Sequence, residues 1–293
     1  LKSMLSPQFL SQLKRHRLNP DRVSTAQHKG ARKSTRHGSS LEFSDYQMYE
    51  LGDDVRQIDW NVYARTEKVY VKRYLDEREV SISLYLDCTK SMKTEPVKWE
   101  KATELAASLA YMILSSDDRL SLHLVGAEAA PMKKKGMRDA KAILHSMENV
   151  QDTSDDNGSR TPFMSSLKGR QRSKSSVTVL ITDALEPMKE ITEALKWLSS
   201  RKEKVFFIQI LHEHEVSPPY TGDWKLKDSE KGEEIDVSFQ NSVIDRYLGS
   251  LQLHNQAIER ECKRYGFTYR TLISSQPVNE MVLKDLKMSG MVR

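Results

Sequence analysis

The segment LYLDCTKSM sets Asp87, Thr89 and Ser91 at alternate positions, straight after a run of apolar residues. Alternate residues on extended chain point the same way, so one carboxylate and two hydroxyls converge. Hard oxygens of this kind suit Mg²⁺ or Mn²⁺, which keep several waters and demand near-octahedral order. A second apolar run, SVTVLIT, ends in Asp183, whose carboxylate can reach the same crevice and bind the ion directly or through water. Thr161, just before Pro162 at a helix start between the two, offers a further hydroxyl. Read singly, each residue has an ordinary structural role: Asp87 and Asp183 as strand-end or turn acids, Thr161 as a helix cap. The order along the chain, each residue standing where an element ends, is far more specific than any one of them.

The elements that must position this set alternate in type. Residues 80–86 read as a strand ending at Asp87. Residues 96–114 read as a long helix with Trp99, Ala102, Leu105, Ala106, Leu109, Met112 and Ile113 on its inner face. Strands follow over 119–125, 176–182, 205–211 and 267–272, with a short edge strand over 129–133. Helices are expected over 138–150, 162–169, 187–200, 241–265 and 277–288. This rhythm predicts an α/β fold with a doubly wound, mostly parallel, Rossmann-type sheet covered on both faces. Ligands of such sheets bind beyond the carboxyl ends of the strands, where Asp87 and Asp183 stand. Three segments are expected: a basic N-terminal helix and linker over 1–40, a small β-rich subdomain over 41–79, and the α/β domain over 80–293. Around 216–238, Trp224, Leu226, Ile235 and Val237 flank Lys231-Gly232 and suggest a hairpin insertion.

Bulk properties narrow the class. Residues 1–40 hold nine Lys/Arg and one acid, a local charge of +8 in a chain whose total is +5. Such an arm can attract phosphate, acidic protein or anionic lipid, or be simply a solvated helix and linker. No recognition motif accompanies it, so a nucleic-acid partner is not expected. No run approaches the ~20 apolar residues of a membrane span, and no leader-type apolar stretch is visible, so a cytoplasmic protein is expected. Cys88 and Cys262 form no C-x-x-C pair.

Two resemblances sharpen this reading. The order D-x-T-x-S, loop Thr, strand-end Asp resembles the metal-ion-dependent adhesion site of von Willebrand factor A domains, with Thr89 in place of the usual first Ser. That resemblance implies Asp87, Thr89, Ser91, Thr161 and Asp183 as metal ligands and one open coordination position for an acidic side chain of a partner. Residues 42–66, EFSDYQMYELGDDVRQIDWNVYART, resemble the signature of family 58 of the domains of unknown function. The likeness continues through Val71-Lys72-Arg73, Asp87, Asp223-Trp224, Leu226 and Asp228. It implies a non-enzymatic interaction module or adaptor, since genes of that family often lie beside those of MoxR-type AAA+ ATPases. Within the signature, Asp53, Asp54, Arg56, Asp59 and Arg65 read either as a structural ion network or as a docking surface.

Other chemistry fits less well. A phosphotransferase with a strand-end Asp nucleophile needs a second carboxylate two residues on, where Thr89 stands. No G-x-S-x-G elbow and no phosphate-binding loop is present; GARKST at residues 30–35 has neither the spacing nor a preceding strand. A metal-dependent hydrolase at the same crevice is the enzymatic alternative, with Glu186 as the nearest candidate base, and a metal-independent scaffold is the other. His212 and His214 read as part of a solvated loop rather than as metal ligands.

Overall fold

The computed structural model describes residues 4–20, 42–75, 80–127, 129–152, 162–170, 175–220, 222–227 and 234–293. The chain divides into two compact units, one of Leu1–Thr25 with Val80–Arg293 and one of Ala26–Glu79.

The smaller unit pairs strand β1 (Glu42–Met48) antiparallel to β2 (Tyr70–Leu75), with a 3₁₀ turn (Val55–Gln57) and helix α2 (Trp60–Thr66) between them. The helix is an addition to the short strands expected of this β-rich stretch, and Asp59 explains it. Asp59 Oδ1 accepts the Asn61 and Val62 N–H groups at 2.9 and 3.3 Å, which caps the first turn. Its other oxygen accepts Lys72 Nζ at 3.0 Å and Tyr46 Oη at 2.8 Å. One carboxylate thereby ties α2 to both strands. Asp54 likewise accepts Arg56 N–H, and Asp53 accepts Glu50 N–H, so the acids of the signature serve turns within the unit. The hydrogen bond from Lys72, then that from Tyr46, holds the Asp59 carboxyl down at about 2. A lowered folded pKa stabilises above the unfolded value near 4 and is lost as pH falls through about 2. Asp59→Asn is therefore expected to be less stable than wild type at pH 7. In urea unfolding the gap should close as pH drops from about 4 to about 2.

The larger unit is built on a six-stranded sheet of β3 (Ser81–Asp87), β4 (Arg119–Val125), β5 (Met132–Lys135), β6 (Val177–Thr182), β7 (Lys204–Leu211) and β10 (Thr268–Ile273). Their order across the sheet is β10-β7-β6-β3-β4-β5. All neighbours run parallel except edge strand β5, antiparallel to β4 and a few residues later than the sequence suggests. Each central strand is apolar on both sides, as a doubly covered sheet requires. Ile82, Leu84, Leu86, Val179 and Ile181 face one core with helix α4 (Pro96–Ser115). Tyr85, Leu180, Val205 and Phe207 face the other, with helices α6 (Phe163–Arg170), α7 (Met188–Ser200) and α9 (Asn241–Arg264). Helix α4 is buried nearly all round rather than on one face, its side chains from Lys98 to Leu114 largely shielded.

The N-terminal helix α1 (Pro7–Leu13), grouped by sequence with the basic arm, packs into this unit instead. Phe9 and Leu13 on α1, with the flanking Leu5 and Leu18, enter the core beside α4. Beyond it, Arg17 and Arg293 exchange backbone hydrogen bonds at 3.0 and 2.9 Å, and Asn19 N–H reaches Met291 O. The rest of that arm, including Arg22, Lys29, Arg32, Lys33 and Arg36, lies outside the described residues. Strands β8 (Gly222–Lys227) and β9 (Glu234–Phe239) form the antiparallel pair expected of the insertion; its Lys231-Gly232 turn lies outside the described residues. The last helix changes character, Val278–Glu280 running on as a π-helix over Met281–Leu286. Among the described residues, no helix is long and apolar enough to cross a membrane.

Candidate functional site

The sheet reverses its order at the junction of β3 and β6, and the crevice beyond the carboxyl ends of these strands is the natural ligand position. Leu86 pairs with Ile181, so the next residues, Asp87 and Thr182, stand side by side. Asp87 is 1% exposed. Its Oδ1 accepts the Thr89 N–H at 2.9 Å and the Thr89 hydroxyl at 2.6 Å. Its Oδ2 accepts the Thr182 hydroxyl at 2.6 Å. The Thr89 and Ser91 hydroxyl oxygens are 3.2 Å apart. A hydroxyl that gives its proton to a carboxylate keeps its lone pairs for another partner. Asp87 thus orients Thr89 as an oxygen donor, with Ser91 beside it. Burial, then the charge of Asp183, pushes the Asp87 carboxyl well above the usual carboxylate range. A cation placed there would relieve both effects. The donors are hard oxygens throughout, which fits Mg²⁺ or Mn²⁺.

Asp183 sits in the same crevice, 3% exposed. Its backbone is held from behind: Gln209 Nε2 donates to Asp183 O at 2.9 Å and to Asn255 Oδ1 at 3.0 Å. Ala184 follows in a left-handed conformation, φ +52°. Its N–H donates to the Thr182 hydroxyl, and its carbonyl is 2.7 Å from His254 Nε2 on α9. The turn that aims Asp183 is therefore fastened on both sides. Thr161 lies outside the described residues; the helix it was expected to open, α6, begins at Phe163.

Four participants escaped the sequence reading. Thr182 is the hydroxyl on Asp87, hidden as one β-branched strand residue among several. Gly126, at φ +99°, directly follows β4, and a Cβ there would lie 3.0 Å from the backbone of Cys88 and Thr89. Lys98, in the first turn of α4, is 1% exposed and donates to Asp183 Oδ2 at 3.2 Å and Glu215 Oε1 at 2.8 Å. Burial works against its charge, but Asp183 and Glu215 outweigh this and the net shift is upward. Its position had a signal: residues 98, 102, 105 and 109 make one helical stripe, and a lysine interrupts it.

Glu215 belongs to a one-turn helix, α8 (Glu213–Val216), capped by His212. His212 Nδ1 accepts His214 N–H at 3.2 Å, and Glu215 Oε2 accepts His212 N–H at 2.6 Å. The expected loop is thus a capping box. Glu186 stands at the mouth of the crevice. Both its oxygens accept Met164 N–H, at 3.3 and 3.2 Å, capping α6. Burial, then the charge of Asp87, raises its carboxyl to about 7. Cys88 is buried, its thiol turned to Leu86 O, which suits a space-filling role under the loop.

Comparison with known proteins places the chain in a family. The family described as "Protein of unknown function DUF58" matches residues 45–257. The chain belongs to the DUF58 family. Uncharacterized proteins of Mycobacterium tuberculosis and Mycobacterium bovis are similar to it, 26% identical over 235 residues, covering 78% of this chain and 73% of each relative. Among solved structures, a conserved hypothetical protein BatB from Bacteroides thetaiotaomicron aligns at 16% identity and a TM-score of 0.42. It covers 72% of this chain and 98% of that one. An aerotolerance-related membrane protein from Bacteroides fragilis, carrying multiple mutations to serine, aligns with the same identity and coverage at 0.43.

Proposed function

We propose that this DUF58 protein is a non-enzymatic interaction module whose larger unit is a von Willebrand factor A-like domain with a metal-ion-dependent adhesion site. The six-stranded sheet with one antiparallel edge strand supports that fold. Asp87, Thr89, Ser91, Thr161 and Asp183 hold Mg²⁺ or Mn²⁺, directly or through water, and an acidic side chain of a partner completes the coordination. The observation that carries the reading is the Thr89 hydroxyl donating to buried Asp87 at 2.6 Å with Ser91 alongside. It presents oxygen lone pairs and one carboxylate to a single point. The partner we propose is a MoxR-type AAA+ ATPase or its client, served in complex assembly or maturation inside the cytoplasm. Hydrolysis is disfavoured by Glu186, the nearest candidate base, whose oxygens face the α6 backbone.

Capture of a MoxR-type ATPase by the immobilised protein tests this directly. Retention in millimolar Mg²⁺ and release by EDTA are expected, whereas retention undiminished in EDTA would overturn the metal bridge. That second outcome belongs to a metal-independent scaffold, a reading favoured by one observation: Lys98 already supplies a cation to Asp183.

A further inference from the structure

Lys98 is an unusual residue for its place. It is a cation in the first turn of a helix, where the backbone dipole favours anions. It is also almost wholly buried, where a lone ammonium is costly. Two carboxylates compensate: Asp183 from the end of β6 and Glu215 from α8, at 3.2 and 2.8 Å. Both bonds end on the same Nζ atom, so the ammonium is shared between a proposed metal ligand and a residue outside the ligand set. Glu215 is itself fixed, because its second oxygen accepts His212 N–H within the α8 cap.

The geometry points to Lys98 as a built-in competitor of the metal: its ammonium occupies Asp183 Oδ2, and a divalent ion that takes that oxygen must shift it onto Glu215. This inference rests on the metal-site reading above and deepens it. Two like-signed cations cannot share one carboxylate oxygen in a buried site without strong repulsion. Ion entry therefore couples to a movement of Nζ away from Asp183. Glu215 provides the place to go, so the two carboxylates have opposite effects on the ion. Asp183 is the contested seat and Glu215 the refuge. The resting site is consequently closed by its own cation and admits metal weakly, which suits an ion that arrives together with a partner's carboxylate.

Mn²⁺ binding to the full-length protein, measured by electron paramagnetic resonance, tests this, with thermal melting as the control for folding. Lys98→Gln is expected to bind Mn²⁺ at least about tenfold more tightly than wild type, because a buried unit charge at contact distance is removed. Glu215→Gln keeps the acceptor for His212 but removes the refuge, and should bind several-fold more weakly. Mn²⁺ should also raise the melting temperature of Lys98→Gln more than that of wild type. Binding by Lys98→Gln alone, with none by wild type, would support the inference equally. If Lys98→Gln binds no more tightly than wild type while Asp87→Asn abolishes the wild-type signal, the competitor role falls and the metal site stands. If no folded variant binds Mn²⁺ at all, the metal site falls and the competitor role with it.

Discussion

Replacing Asp87 by Asn is expected to lower divalent-ion affinity by about 100-fold or more, since even residues that only orient ligands cost 10–100-fold. The change is isosteric, so the packing around the β3 end survives. The Thr89 N–H and hydroxyl retain an acceptor in the amide oxygen, while the Thr182 hydroxyl turns to meet the amide nitrogen. What disappears is one of the two carboxylate charges offered to the ion, the other being that of Asp183. In the metal-free state the variant should melt no lower than wild type, because burying a neutral amide avoids the desolvation of a carboxylate. Mg²⁺ separates the two proteins. At 100 times its dissociation constant a ligand stabilises the folded state by about 2.7 kcal/mol. For a unit of this size that is a rise of roughly 5–10 °C in melting temperature. Wild type should show this rise and Asp87→Asn none. Equal Mg²⁺ responses would remove Asp87 from the ligand set. Partner capture should be lost in step with ion binding.

Gly126→Ala should be the most damaging small substitution near the crevice. The added Cβ would meet Cys88 C and Thr89 N at 3.0 Å, both backbone atoms, so no side chain can swing away to admit it. The residue also sits at φ +99°, outside the regions open to alanine. Strain of ~1–3 kcal/mol and overpacking of ~1–3 kcal/mol act together, and a loss of about 3 kcal/mol is expected, read by urea unfolding. Any relief must come from moving the Cys88–Thr89 backbone, which carries the ligand loop. Mn²⁺ affinity should therefore fall even in the molecules that remain folded. A variant that is destabilised but binds Mn²⁺ normally would show that the loop tolerates displacement.

The parts of this protein that were legible in the sequence are those with a period or a terminus. Strands β3, β6 and β7 announced themselves as apolar runs, and Asp87 and Asp183 as the acids that end two of them. In the small unit the strands are legible and the helix is not, because it depends on one capping carboxylate: Trp60–Thr66 lacks an apolar stripe, and Asp59 supplies through hydrogen bonds what periodicity does not show. Lys98 was missed for the opposite reason. A lysine on a long helix is ordinarily solvated, and only the three-dimensional arrival of Asp183 and Glu215 makes its burial tolerable. Gly126 carries no signal of its own, since the need for glycine comes from a neighbouring loop 38 residues earlier in the chain. Helix α1 was assigned to an arm because its partners, α4 and the C-terminal residues, are remote in sequence.

That last pairing has a consequence for how the protein is made. Asn19 donates to Gly290 O across 271 positions, and Arg17 and Arg293 exchange their backbone hydrogen bonds just beside it. On the ribosome, at ~5–20 residues per second, the segment around Arg17 must wait roughly 10–50 seconds for its counterpart. During that interval Phe9 and Leu13 can rest on α4 once it is synthesised, but Leu18 has no Val292 to pair with. The larger unit thus cannot close until the segment around Val292 has been made, and until then Leu18 lacks its bridge partner.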